Sequence, residues 1–338
     1  MVFANDFAPC DGKLRVYSVG HAEKVKKADA FVICYGKDVY LIDGGHTDTY
    51  HGLSFLLGIR KKYLKKHKEL LHDIDCKLRI NLIVSHFHVD HVEALISNIA
   101  VNAFIDIADV YLPDRGRIPK EYLNYTKDSE AKYRPYLMKI LEDLHPRAIV
   151  TTVGFGEENV TEIPNGDLSV TFYPFPFDPF SESYLKYMCD IYAQLALSEN
   201  GIADTRTKAS TYALNAGSMW VSFRLGENTF LFTGDTMKRL ESCDGEALDI
   251  MLRTYRDRIG NVTVLKYVHH GFARDAAAPL MLSMSPRYVV MTTQIATAEQ
   301  AMRALSPDTD IKFINSGLQT VLFECDKDSG TELTYIEE

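Results

Sequence analysis

The chain has 338 residues, a formal net charge of −9 and 46% apolar residues, enough to bury one large core or two modest ones. That charge disfavours a broad grip on nucleic acid, leaving room for a local contact at most, and no twenty-residue apolar run exists to span a membrane. The six cysteines (10, 34, 76, 189, 243 and 325) lack Cys-x-x-Cys spacing and Met1 to Lys13 lacks a hydrophobic signal core, so a cytoplasmic protein with reduced thiols is expected.

In chain order, Leu14 to Gly20 leads to Ala28-Asp29-Ala30-Phe31, and then Val32–Tyr35 and Val39–Ile42 read as a hairpin joined by Gly36-Lys37-Asp38. The second strand runs into Asp43-Gly44-Gly45. Residues 49–71 fit a helix with Leu53, Leu57, Leu64 and Leu71 on one face. The run from Arg60 to Lys68 falls mostly on the opposite arc, a solvated face rather than a phosphate-binding one. Ile80 to Val84 reads as a buried strand, and it ends in His86-Phe87-His88-Val89-Asp90-His91. One such histidine alone could be a solvated or capping residue. Four metal-binding side chains in six residues, aimed from a strand end, suit zinc, manganese or iron.

Helices are expected at 91–99, 119–143, 182–198, 241–257 and 297–304, alternating with strands as in a layered α/β protein. His145, after the second of these, reads as a helix C-terminal histidine. An aromatic-rich stretch at about 155–215 contains Phe172-Tyr173-Pro174-Phe175-Pro176-Phe177-Asp178-Pro179-Phe180 and then Tyr184, Tyr187 and Tyr192. Its prolines stiffen an extended chain and keep it out of a central strand. It could wall the substrate pocket, cap the metal, pack its tyrosines on the core as an extra helix or form a subunit interface. Gly201 to Lys208 is polar and unpatterned, and reads as a mobile connection. Two further strand ends carry chemistry: Phe230-Leu231-Phe232-Thr233-Gly234-Asp235, and Val264-Leu265-Lys266-Tyr267-Val268-His269-His270-Gly271.

The His-x-His-x-Asp-His motif, the Asp43-Gly44-Gly45 turn, Asp235 and the His269-His270 pair, in this order, resemble the metallo-β-lactamase superfamily of hydrolases. The resemblance covers about residues 14–325 and implies one four-layer αββα domain over 1–338, with an insertion at 155–215. The opening pattern, Thr233-Gly234-Asp235 with His-His-Gly, and Asn215-Ala216-Gly217-Ser218 are similar to the soluble hydrolase domains of bacterial DNA-uptake (competence) membrane proteins. A typical two-zinc member carries a mid-chain histidine that has no counterpart here, since only His145 lies between Val92 and Asp235. The resemblance therefore implies one tight metal, with a second position either weakly held or empty: one or two zinc (or manganese or iron) ions per chain. His86 and His88, with Asn215 nearby, belong to the first position; Asp90, His91, His269 and the bridging Asp235 belong to the second.

The expected chemistry is hydrolysis. Zinc lowers the pKa of its bound water to about 7 and polarises the oxygen under attack. Asp90 would ligate metal and orient the attacking hydroxide, Asp43 would accept from a ligand histidine and fix its tautomer, and His270 would protonate the leaving group, bind a phosphate oxygen or support a ligand. Between His269 and His270, the first to leave the strand is favoured as the ligand. The substrate implied is a phosphate ester or phosphodiester. The alternatives are a thioester, lactone or amide, or a catalytically weak metal-binding scaffold.

Overall fold

The structure is a computed structural model that describes residues 11–20, 28–36, 38–46, 78–99, 105–114, 119, 122, 130–198, 205–237, 246–271, 277–293, 297–307, 309–317 and 319–336. The helix expected at 49–71, with its basic arc, lies outside them. In chain order the first elements are Leu14–Ser18 (β1), Phe31–Tyr35 (β2), Asp38–Ile42 (β3), Leu78–Ile83 (β4), Val89–Ile99 (α1), Ile105–Pro113 (β5), Glu130–Leu144 (α2) and Ile149–Val153 (β6). Next come Thr161–Asn165 (β7), Leu168–Tyr173 (β8), Glu182–Ser198 (α3), Thr205–Ala216 (α4), Trp220–Leu225 (β9), Asn228–Phe232 (β10), Ala247–Ile259 (α5) and Val264–Lys266 (β11). Ala278–Leu282 (α6), Tyr288–Met291 (β12), Thr297–Leu305 (α7), Lys312–Asn315 (β13), Val321–Cys325 (β14) and Glu332–Tyr335 (β15) complete the order.

Two sheets form, in the orders β15-β14-β1-β2-β3-β4-β5-β6 and β13-β12-β11-β10-β9-β8-β7. Each has an antiparallel part and a parallel part. β2 and β3 make the expected hairpin, with Tyr35 opposite Asp38 and Gly36 at a φ of 57°. From β3 through β6, and from β10 through β13, neighbouring strands run parallel, so their carboxyl ends share one edge of each sheet.

Alternation along the strands builds three apolar layers. In β3, Tyr40 and Ile42 face the other sheet and pack with Phe223, Phe230 and Phe232, whereas Val39 and Leu41 face outward. There they meet α1 and α2, whose Val92, Leu95, Ile96 and Leu137 are buried at helical spacing. The outer face of the second sheet, with Trp220, Leu231 and Leu265, is covered by Tyr212 of α4, Met251 and Tyr255 of α5 and Met281 of α6. Helix, sheet, sheet and helix are thus stacked in four layers of a mixed α/β sandwich, and each apolar strand face is buried once.

Part of the polar stretch expected to be a mobile connection is helical: Thr205 to Lys208 form the first turn of α4. Ala209, Tyr212, Ala213 and Ala216 are buried further along it, so packing outweighs weak local propensity. The aromatic stretch divides. Residues 161–173 pair into the second sheet as β7 and β8, and Phe175, Tyr184 and Tyr192 enter the outer core. Phe177 and Tyr187 stay exposed. Pro176, Phe177 and Asp178 line a cleft of about 610 Å³ with Asp114, Phe155 and Glu158. Among the described residues no helix is long and apolar enough to cross a membrane.

Candidate metal centre

Ligands collect where parallel strands end. β3 delivers Asp43, β4 delivers the loop 85–88 and the first turn of α1, β10 delivers Asp235, and β11 delivers His269 and His270. The loops lock together through backbone bonds: Asp43 N to Ile83 O at 2.9 Å, Gly44 N to His91 O at 2.6 Å and His269 N to Gly234 O at 3.2 Å. Gly44 is required by this closeness, because a Cβ there would stand 2.4 Å from Leu95 Cβ. Gly234, at a φ of 54°, makes the tight turn before Asp235, and Asp235 N donates to Ser218 Oγ at 3.1 Å.

His91 is fully buried, and its Nδ1 lies 2.7 Å from Asp43 Oδ2. Asp43 also accepts from Ser85 N at 2.8 Å and from Ser85 Oγ at 2.6 Å. These donors hold the carboxylate in place, and it in turn draws the proton of His91 to Nδ1. His91 Nε2 is thereby left pointing at Asp235 Oδ1, 3.3 Å away. His270 has the same form: its Nδ1 is 2.8 Å from Asp29 Oδ1, and its Nε2 is 3.3 Å from both Asp90 Oδ2 and Asp235 Oδ2. His86 Nε2 lies 4.0 Å from Asp235 Oδ2 and 3.0 Å from His88 Nδ1.

The two adjacent histidines fall differently from the expected order. His270, not His269, turns a buried nitrogen toward Asp90, Asp235 and His91. His269 Nε2 is 3.7 Å from Asp235 Oδ2, with its side chain 21% exposed. Both have left-handed backbones, with φ values of 47° and 60°, a cost of about 1–3 kcal/mol each. That cost is borne at the point where the chain must turn both rings toward one place. Asn215 stands further back than expected. Its Nδ2 donates to Met237 Sδ, and its backbone carbonyl accepts from Ser218 N, which links it to Asp235 through Ser218 Oγ. His145 lies just past α2, with its N–H bonded to Leu141 O.

Two residues escape a reading of the sequence. Asp29, 1% exposed, stands behind His270 and lies 3.9 Å from His91 Nδ1. Lys266, 2% exposed, stands beside it. A lysine within the apolar run Val264 to Val268 is the available signal for the second.

The donor set fits a divalent cation. His91 Nε2, His270 Nε2 and Asp235 Oδ1 are buried without hydrogen-bond partners. With both Nδ1 protons directed to carboxylates, two bare imidazole nitrogens and a carboxylate oxygen would face one another, a repulsive arrangement that a cation converts into coordination. Ligating atoms of His91, Asp235, His270 and Asp29 lie within 4.8 Å of one another, and so do those of His86, His88 and Asp235. With no cation between them, burial disfavours charge on His91 and His270, yet Asp235 with Asp43, and Asp235 with Asp29, outweigh it and raise both pKa values, that of His270 to about 9. Burial likewise opposes charge on Asp235, but His270, His91 and His269 hold its carboxyl well below the usual range. His86 is pushed the other way, first by burial and then by His91 and His88.

No protein-family model matches the chain, and no curated protein matches it. Solved structures similar to it include the metallo-β-lactamase fold protein YhfI from Bacillus subtilis, at 12% identity over 93% of this chain and 100% of that one, TM-score 0.46. Another is the short form of human tRNase Z, at 13% identity over 82% of this chain and 92% of that one, TM-score 0.42. A third is Tm1679, a metal-dependent hydrolase of the β-lactamase superfamily, at 12% identity over 91% and 98%, TM-score 0.43. At these identities the likeness is one of fold, and the chemistry of the centre stands on its own side chains.

Proposed function

We propose that this chain is a metal-dependent hydrolase acting on a phosphate ester or phosphodiester. The observation that carries the hydrolase reading is the convergence of His91 Nε2, His270 Nε2 and Asp235 Oδ1, buried and without hydrogen bonds, from three separate strand ends. In this reading His91, His270, Asp90 and Asp235 would hold the principal ion, and His86 and His88 with Asp235 would hold a second, weaker one. A bound divalent ion would acidify water and polarise the oxygen under attack. Asp90, the most open of the four central carboxylates at 8% exposed, accepts the hydrogen of the attacking water and orients its lone pair. His269 lies on the open side and, with Nε2 beside Asp235, is placed to deliver a proton to the leaving oxygen. Both nitrogens of His270 are engaged, which leaves it none to deliver. The phosphoester is supported by the likeness of Thr233-Gly234-Asp235 and His-His-Gly to the competence-protein hydrolase domains.

The test is turnover of bis(p-nitrophenyl) phosphate with added Mn²⁺ or Zn²⁺. Wild type should hydrolyse it, and Asp90→Ala should lower kcat by at least about 100-fold, the range for a lost general base. Turnover of a lactone or thioester panel with no phosphodiesterase activity would move the substrate to the carbonyl class. Unchanged activity in Asp90→Ala would remove the water-orienting role.

A further inference from the structure

A buried ammonium stands behind the centre, and the hydrolytic reading gives it no task. Lys266 Nζ lies 2.5 Å from Asp29 Oδ2, donates to Gly234 O at 2.6 Å and lies 3.6 Å from Asp235 Oδ1. Lysine is almost never buried to this degree unless its charge is matched. Here it is matched by two carboxylates of different standing, one behind a ligand histidine and one inside the centre. Asp29 Oδ1 accepts from His270 Nδ1 and, in a short contact, from Thr292 Oγ1.

We propose that Lys266 is a positioning residue of the metal centre: by pinning Asp29 Oδ2 it turns Oδ1 onto His270 Nδ1 and so presents a bare His270 Nε2, and by holding Gly234 O it fixes the turn that carries Asp235. His91 and His270 are then oriented by different means. Asp43, behind His91, is held by the neutral N–H and O–H of Ser85, its neighbour in the fold. Asp29, behind His270, is held by a fixed positive charge from β11, the strand that leads into His270 itself. One side chain thus couples two turns, after β10 and after β11, to one imidazole. The inference rests on the metal-centre reading given under the proposed function.

Its test is zinc affinity, read by competition with a chromophoric chelator at one pH, in wild type, Lys266→Met, Asp29→Asn and the double variant. An asparagine at 29 can still accept from His270 Nδ1, so the double variant exchanges a matched charged pair for a neutral one. Lys266→Met should bind zinc about 10–100-fold more weakly, as for loss of a group that orients a ligand, and the double variant should recover most of that loss. Spectra of ¹⁵N-histidine-labelled, chelator-treated protein at about pH 10, above the His270 pKa of about 9, should show His270 protonated at Nδ1 and bare at Nε2 in wild type and in the double variant, with that signature lost in Lys266→Met. Wild-type zinc affinity and an unchanged spectrum in Lys266→Met would overturn the proposal, as would a double variant as weak as the single. If Lys266→Met does not fold, the double variant decides: folded and zinc-binding supports the pairing, while folded without zinc, or unfolded, overturns it. A wild-type chain that takes up no zinc would instead defeat the metal-centre reading.

Discussion

His91 and His270 each spend one nitrogen on a buried carboxylate so that the other faces the centre, and this division of labour gives the residue-scale predictions. Asp43→Ala removes the acceptor on His91 Nδ1, 2.7 Å away, and is expected to weaken zinc binding about 10–100-fold in the same competition assay. An affinity within about twofold of wild type would show that Ser85 alone orients the ring. His269 holds Nε2 3.7 Å from Asp235 Oδ2, and His269→Gly is expected to slow hydrolysis by at least about 100-fold, the range for a lost general acid; unchanged turnover would remove its proton-delivering role.

The elements place these residues by ending where they do. β3, β4, β10 and β11 each stop just short of a functional side chain, and α1 carries Asp90 in its first turn, where a carboxylate suits the helix N-terminus. Gly44 packs its turn directly on α1. Gly44→Ala would press a methyl group into Leu95, whose N and Cα lie 2.7 and 2.8 Å from the point that methyl carbon would occupy. A loss of about 1–3 kcal/mol is expected from this overpacking, measurable by urea unfolding; no change in the midpoint would show that α1 yields freely. At this scale much could be read in the sequence. The hairpin, the strand before His86 and the helices near 91–99, 182–198 and 297–304 announce themselves by period and by turn residues. The helix α4 does not, because its register is set by Ala209, Tyr212 and Ala216 settling against the second sheet, a partner that local pattern does not reveal. His86, His88, Asp90, His91 and Asp235 are legible for a related reason: each follows an apolar strand in sequence. Asp29 is not, since it meets His270 across 241 positions of chain, and Lys266 is hidden among the apolar residues of its own strand.

Over the whole molecule, the centre depends on two sheets held face to face so that their parallel ends meet. Phe223, fully buried between them, packs edge-on to Tyr40 of the first sheet at 5.2 Å and to Phe232 at 6.0 Å. Phe223→Ala should cost about 3–5 kcal/mol, read as a lowered unfolding midpoint, although it lies in the core and touches no ligand. A smaller cost would mean that the interface repacks. In the proposed function metal is the link between this architecture and hydrolysis, and diffraction at a zinc absorption edge from crystals grown with zinc addresses it directly. The expected result is an anomalous peak bounded by His91 Nε2, His270 Nε2, Asp90 and Asp235, with a weaker one beside His86 and His88. Crystals with no peak there, and with those imidazole nitrogens hydrogen-bonded to protein or water instead, would contradict it.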